Sequence, residues 1–314
     1  MKTSQVINAY LAARRAQGVK FTSSTRVLKR FARETNDTEL DAVTPEAVAK
    51  FLHGPGQLSA TWGGKRGLLA GLYRFAIARG HATVWPLPER APKLPPPHPP
   101  YVYSINEVQR LLDATSTLKV NNSPIQVETY RMLLMIMYGA GMRVSEAIGL
   151  QLRDVDLQQR LLTIRETKFY KTRLVPIGPR LAAAIKTYIE RRSALPMLEG
   201  QEAALLCSRT GHHLWYQCVI TRFQRIRASA GIGCPPGASR PPRLHDLRHT
   251  AAVHRVVAWY REGRDVQRLL PQLATYLGHS EIKSTQRYLS MTPELLQEAS
   301  QRFAVYAAMG GDHA

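Results

Sequence analysis

Apolar residues recur at helical spacing through most of this chain, and the pattern breaks at glycine- and proline-rich stretches. In the first ninety residues the spacing predicts four helices, over about 3–17, 22–35, 44–53 and 59–79. Thr44 followed by Pro45 is a helix-start signal. In the fourth stretch Leu68, Leu69, Leu72, Phe75 and Ala76 fall on one side, so a small helical bundle is expected. The run APKLPPPHPP at 91–100 cannot lie inside a helix and reads as extended chain. Beyond it, Ser104 and Glu107 form a capping box at the start of a helix over 104–114, and 125–138 reads as a buried helix. Leu161–Arg165 and Arg173–Ile177 read as two strands around a turn. Helices are expected at 179–193, 214–229, 245–260, 265–277 and 292–308, with a glycine- and proline-rich loop at 231–242. The last helix is amphipathic, with Leu295, Leu296, Ala299, Phe303 and Ala307 along one side. The fold class is therefore mainly α with a small antiparallel β-sheet.

A chain of 314 residues is long enough for two cores. The expected division is a helical domain at 1–90, a proline-rich linker at 91–101 and a mixed α/β domain at 102–314. Charge adds a partner to this picture. The chain carries 43 Lys and Arg against 23 Asp and Glu, a net charge of +20. The excess is spread: residues 1–90 hold 14 basic and 6 acidic residues, so both domains can face one polyanion. Nucleic acid is the expected partner. No run reaches the ~18 apolar residues of a membrane span, and the first residues lack the apolar core of a signal peptide. No membrane partner and a cytoplasmic, nucleoid-associated location are expected. Cys207, Cys218 and Cys234 suit neither a disulfide framework nor a zinc site.

The candidate chemistry is an ordered basic set ending in a tyrosine: Arg143, Lys168, His245, Arg248, His279 and Tyr288. Arg143 follows Gly139 and Gly141, which break the apolar helix, and Glu146 three residues later can orient it. His245 and Arg248 lie three apart and share a helical face. A guanidinium grips phosphate oxygens bidentately, so two arginines can clamp both non-bridging oxygens of a phosphodiester. That clamp stabilises charge as it develops. His249, four after His245, raises a metal reading. HDLRH lacks the glutamate of a zinc-protease motif, and its arginine repels a cation, so no metal is expected and His249 supports its neighbours. Lys168 and Lys171 share a basic turn, where an ammonium can contact phosphate or protonate a leaving oxygen. Lys65, Arg66 and Arg74 offer a basic helical face, and with Lys171 and Arg173 they are the candidate DNA contacts. Gly278 reads as a helix stop before His279. Tyr288 offers an oxygen nucleophile that positive surroundings would activate from its ordinary pKa of about 10. No nucleotide-binding pattern is present in the sequence, and no cofactor is expected.

These residues carry a family resemblance. The segments at 139–150, 166–177, 244–250 and 277–289 resemble the catalytic boxes of the tyrosine recombinases, or phage integrase family. The likeness covers most of 102–303 and, more loosely, the N-terminal part. It implies a two-domain, C-shaped DNA clamp, with a core-binding domain opposite a catalytic domain. It implies Lys168 as general acid, since family hairpins place that lysine three before a second basic residue. Thr167 stands where many members have glycine, and Lys171 stays the competitor. It implies that His279 hydrogen-bonds the scissile phosphate and that Tyr288 forms a 3′-phosphotyrosyl bond. It further implies duplex DNA with inverted-repeat core sites and a homo-tetramer joined through the C-terminal helix, with room for an accessory protein. The 31 residues from Arg248 to His279 exceed the usual family spacing and resemble a subgroup carried on mobile elements. DNA relaxation of the type IB topoisomerase kind, or a non-catalytic DNA-binding regulator, are the alternatives.

Overall fold

The structure is a computed structural model that describes residues 1–18, 22–55, 58–94, 99–118, 125–165, 172–195, 198, 200–208, 210–278 and 300. Its contacts divide the chain into two compact units, one within residues 1–98 and one beginning at Pro99.

The first unit is a four-helix cluster: α1 (Thr3–Ala16), α2 (Thr22–Glu34), α3 (Pro45–His53) and α4 (Ala60–Ala78). Thr44 caps α3 by accepting a hydrogen bond from the Ala47 amide (3.3 Å), with Pro45 in the first turn, where its missing N–H costs nothing. The apolar stripe of α4 explains its central position. Leu69, Leu72, Tyr73 and Ala76 are buried, and α1, α2 and α3 each pack on this helix. Phe31 of α2 meets Phe51 of α3 edge-on, with ring centroids 5.0 Å apart. The chain after α4 runs back over the same core, where Leu87 is buried and Leu94 packs against the cluster. The proline-rich stretch thus starts as part of this unit, because Leu94 has apolar surface to bury.

The second unit opens with α5 (Ile105–Ala114). Its capping box is closed, Ser104 Oγ accepting from the Glu107 amide (3.1 Å) and Glu107 Oε2 accepting from the Ser104 amide (2.8 Å). The buried α6 (Gln126–Gly139) contributes Met132, Leu133, Ile136 and Met137 to the core and packs against α8 (Pro179–Ser193) and α10 (Asp246–Arg261). The short α7 (Val144–Gly149) follows a turn. A three-stranded antiparallel sheet, in the order β1 (Val155–Asp156), β2 (Leu161–Ile164), β3 (Arg173–Pro176), pairs Leu162 with Val175 and Ile164 with Arg173. The sequence predicted the β2–β3 hairpin but neither the two-residue β1 nor the six-residue α7. Both are too short for a periodic signal. α9 (Tyr216–Ser229) and α11 (Val266–Leu277) complete the described helices. Valines 253, 256 and 257 of α10 meet Val266, Leu273 and Leu277 of α11 in a separate apolar cluster. The helix expected at 292–308 falls outside the described residues apart from position 300. No helix among the described residues is long and apolar enough to cross a membrane.

Candidate active site

The site forms where three chain reversals meet: the turn from α6 into α7, the start of α10 and the end of α11. Gly141 makes the first turn at φ +60°, and a Cβ there would lie 2.7 Å from Leu277 Cδ2. This glycine is required both by its backbone angle and by the end of α11 pressed against it. The turn delivers Arg143 to the N-terminus of α7, half exposed. Glu146 accepts hydrogen bonds from the Arg143 amide (2.9 Å) and from Arg143 Nη1 (2.6 Å).

Arg248 is 1% exposed. Its Nη1 donates to the Gly141 carbonyl (2.9 Å), its Nη2 to the Leu277 carbonyl (2.6 Å), and Nη1 lies 3.7 Å from Glu146 Oε2. Arg143 Nη2 donates to the next carbonyl of the same turn, that of Gly278 (2.9 Å). The two arginines thus neutralise the negative end of α11, whose last carbonyls have no intrahelical partner. Gly278 ends α11 in the left-handed region, at φ 69° and ψ 45°.

Glu146 receives a third arginine. Arg173, the first residue of β3, donates from Nη1 to Oε1 (2.9 Å) and from Nη2 to Oε2 (2.8 Å). Burial pushes the Glu146 carboxyl up, but the hydrogen bonds and charge of Arg173, with the amide and charge of Arg143, outweigh it and hold the group at about 2. Three guanidinium groups around one ionised carboxylate leave a local excess of positive charge, suited to a bound phosphate.

His245 precedes α10, half-buried, with its ring 5.1 Å from that of His249 in an edge-to-face arrangement. Burial first, and then the Arg248 charge, lower its pKa, so the imidazole is neutral at pH 7 and can donate or accept a hydrogen bond. Among the described residues no group of three His, Cys, Asp or Glu side chains could hold a metal ion.

The structure therefore brings Arg143, Glu146, His245, Arg248 and His249 of the sequence-derived set into one region. Lys168, Lys171, His279 and Tyr288 lie outside the described residues.

The expected DNA contacts separate into different roles. Lys65 Nζ donates to the Phe51 carbonyl at the end of α3 (2.7 Å) and sits 4.9 Å above the Phe51 ring. Arg66 donates from Nε and Nη2 to the Pro88 carbonyl (3.1 and 2.9 Å), holding the returning chain on α4. Arg173 is engaged with Glu146. Only Arg74 of the four described candidates is exposed. The outward basic stripe of the first unit is instead on α2, where Arg26, Lys29, Arg30 and Arg33 are all exposed and recur at i, i+3, i+4 and i+7. The signal was present in TSSTRVLKRFARE as a basic repeat opposite Val27, Leu28 and Phe31.

Comparison with known proteins gives the following similarities. A family model described as the phage integrase family matches residues 103–294. A putative integrase/recombinase y4rB of Sinorhizobium fredii is 34% identical over 305 residues, covering 95% of this chain and 96% of the relative. A tyrosine recombinase XerD of Mycobacterium tuberculosis is 32% identical over 293 residues, 88% of each chain. The fold is similar to that of a lambda integrase(75-356) dimer bound to a COC' core site, with TM-score 0.63, 18% identity, and 90% and 97% of the two chains covered. It is also similar to the Tn1549 transposon integrase in complex with a circular intermediate DNA, with TM-score 0.66, 18% identity, and 96% and 100% covered.

Proposed function

The chain belongs to the phage integrase family and is a site-specific recombinase, and from that premise we propose that it cuts and rejoins duplex DNA through a 3′-phosphotyrosyl bond at Tyr288. The observation that carries the proposal is the convergence of Arg143 and Arg248 on consecutive carbonyls at the end of α11, immediately before His279. The donor groups for a phosphate are thereby gathered at the point where the chain goes on toward Tyr288.

Tyr288 gives up its phenol proton to water and attacks the scissile phosphorus through Oη as the phenolate, and the bond from phosphorus to the 5′ oxygen breaks. The leaving oxygen takes a proton from Lys168, with Lys171 as the alternative donor. Arg143, which is partly exposed, and the positive charge of the buried Arg248 behind it stabilise the charge that grows on the non-bridging oxygens, with hydrogen bonds from His245 and His279. Losing one such donor typically costs about 10²–10³ in rate. The phosphotyrosyl ester keeps the phosphodiester energy, so a 5′ hydroxyl of the partner strand can reverse the step and rejoin the DNA.

The first unit would grip duplex DNA through the α2 stripe and Arg74, and the second would carry out the chemistry. The substrate would be a pair of sites with inverted arms, and the outcome integration or excision of a mobile element. The likeness to a transposon integrase in complex with a circular intermediate DNA supports that outcome. The amphipathic spacing at 292–308 supports docking of this segment on a neighbouring protomer, and a lambda integrase tetramer bound to a Holliday junction is among the similar structures.

The test is a suicide-substrate assay with nicked duplexes drawn from the DNA flanking the gene, run in EDTA without ATP. A covalent adduct lost in Tyr288→Phe is the expected result. An adduct that persists in Tyr288→Phe removes the assignment of the nucleophile. No adduct on DNA that the protein binds removes the proposed chemistry.

A further inference from the structure

Arg173 was expected to touch DNA, yet its side chain is 14% exposed and both its terminal nitrogens are committed to Glu146. Glu146 in turn serves every arginine of the site. Its Oε1 accepts from Arg143 Nη1 and its Oε2 from the Arg143 amide, and Oε2 lies 3.7 Å from Arg248 Nη1. A carboxylate bonded only to Arg143 could rotate about its side-chain bonds and carry that guanidinium with it. The bidentate fork of Arg173 removes this freedom, because two parallel bonds fix the carboxylate plane as well as its position.

Arg173 is itself fixed from the other side. A Cβ on Gly278 would lie 2.7 Å from Arg173 Nη1, 2.9 Å from Cζ and 3.1 Å from Nε, so the guanidinium lies against the end of α11. Burial raises the pKa of Tyr276 of α11, and the charges of Arg255 and then Arg173 offset part of that rise, so Arg173 stands near this residue too. One side chain therefore ties together β3, α7 and the helix end that holds both arginines. Across the hairpin, Arg165 follows β2 and donates to the buried Asp154 (2.5 Å). Both strand ends flanking residues 166–171 are thus anchored to the second unit by arginine–carboxylate pairs.

We propose that Arg173 is a positioning residue for strand cleavage: through Glu146 it sets Arg143 and Arg248 in register with the start of β3. This inference rests on the recombinase reading above. It assigns Arg173 no contact with DNA. The charged groups facing Glu146 are Arg143 just before α7, Arg173 of β3 and Arg248 of α10, and removing Arg173 leaves a buried carboxylate with fewer hydrogen bonds to its charged form.

The experiment first captures nicked duplexes from a random-sequence pool as covalent adducts of the full-length wild-type chain. Failure to capture any duplex counts against the recombinase reading itself. With a captured duplex in hand, Arg173→Met and Arg173→Lys are compared with wild type in equilibrium binding, salt dependence and single-turnover cleavage. Arg173→Met should bind with unchanged salt slope, whereas losing a phosphate contact would lower that slope by about 1. Its cleavage rate should fall by about 100-fold, the scale of a misplaced reacting group. Arg173→Lys should recover part of the rate, since it keeps the charge but not the fork.

A pH profile gives a readout that a merely structural role would not move. In Arg173→Lys the Glu146 pKa rises, so cleavage should acquire an acid limb between about pH 4 and 6. The limb should vanish when Glu146→Gln is added. In the Glu146→Gln background Arg173→Lys should cost less than about threefold, because the path through Glu146 is already cut. A reduced salt slope, rate losses that simply multiply in the double variant, or no acid limb would each overturn the proposal. If Arg173→Met does not fold, the Arg173→Lys profile and the double variant decide it.

Discussion

Replacing Gly278 with alanine tests how the site is held together. Gly278 ends α11 at φ +69°, where an L-residue costs about 1–2 kcal/mol. The added Cβ would also meet Arg173 Nη1 at 2.7 Å and Cζ at 2.9 Å, distances that real Cβ contacts essentially never reach. Those atoms are not a freely swinging tip, since both terminal nitrogens are bonded to Glu146. Either the fork leaves Glu146 or the end of α11 moves off the Arg143 and Arg248 donors. Each route gives up charge-assisted hydrogen bonds worth about 1.5–3 kcal/mol apiece. The expected loss is about 3 kcal/mol or more. Gly237 supplies the control: its φ is +74°, in the same unit, but a Cβ there has nothing within 4 Å. Gly237→Ala should therefore cost only the backbone penalty of about 1 kcal/mol. Urea unfolding of both variants, followed by tryptophan emission, measures the difference. If Gly278→Ala is destabilised no more than Gly237→Ala, the guanidinium is not held against α11, and the account of the site fails.

Glu146 carries a pH signature. Its pKa is about 2 in the folded chain against about 4.3 when unfolded, so its contribution is present above the unfolded value and is lost as pH falls through the folded one. A stability of order 3 kcal/mol should disappear between about pH 5 and 2 in wild type, and acid titration of Glu146→Gln should lack that slope. In the first unit, Lys65→Met should lower stability by about 1–2 kcal/mol through the lost bond to the Phe51 carbonyl and leave the salt slope of DNA binding unchanged. Lys29→Ala should do the reverse, with a slope smaller by about 1 and little change in unfolding. A salt slope that follows Lys65 rather than Lys29 would move the DNA surface from α2 to α4.

The part of the candidate site within the described residues was legible because its residues sit in local contexts that fold locally. The Gly139–Gly141 break, the His245–Arg248 spacing and the Gly278 stop each describe one turn of chain. Two of the basic candidates of α4 are spent inside the first unit for a physical reason. Lys65 and Arg66 stand where a helix surface would be wet, yet each lies beside backbone carbonyls of another segment, at Phe51 and at Pro88. A sequence reports that a side chain is charged, not which distant carbonyl it will meet.

Helical and strand periods, capping residues and chain breaks depend on neighbours within a few positions, so the sequence alone determined the fold class and the order of the longer described elements. It also determined the ordered set of arginines, histidines and tyrosine by which the family is recognised. Only the tertiary structure decided which charges are spent inside the protein. Arg143, Arg173 and Arg248 lie up to 105 positions apart in the chain, and they meet on Glu146 because β3, α10 and the end of α11 pack around the α6–α7 turn. Hydrogen bonds between such distant segments follow from packing, which no local pattern encodes.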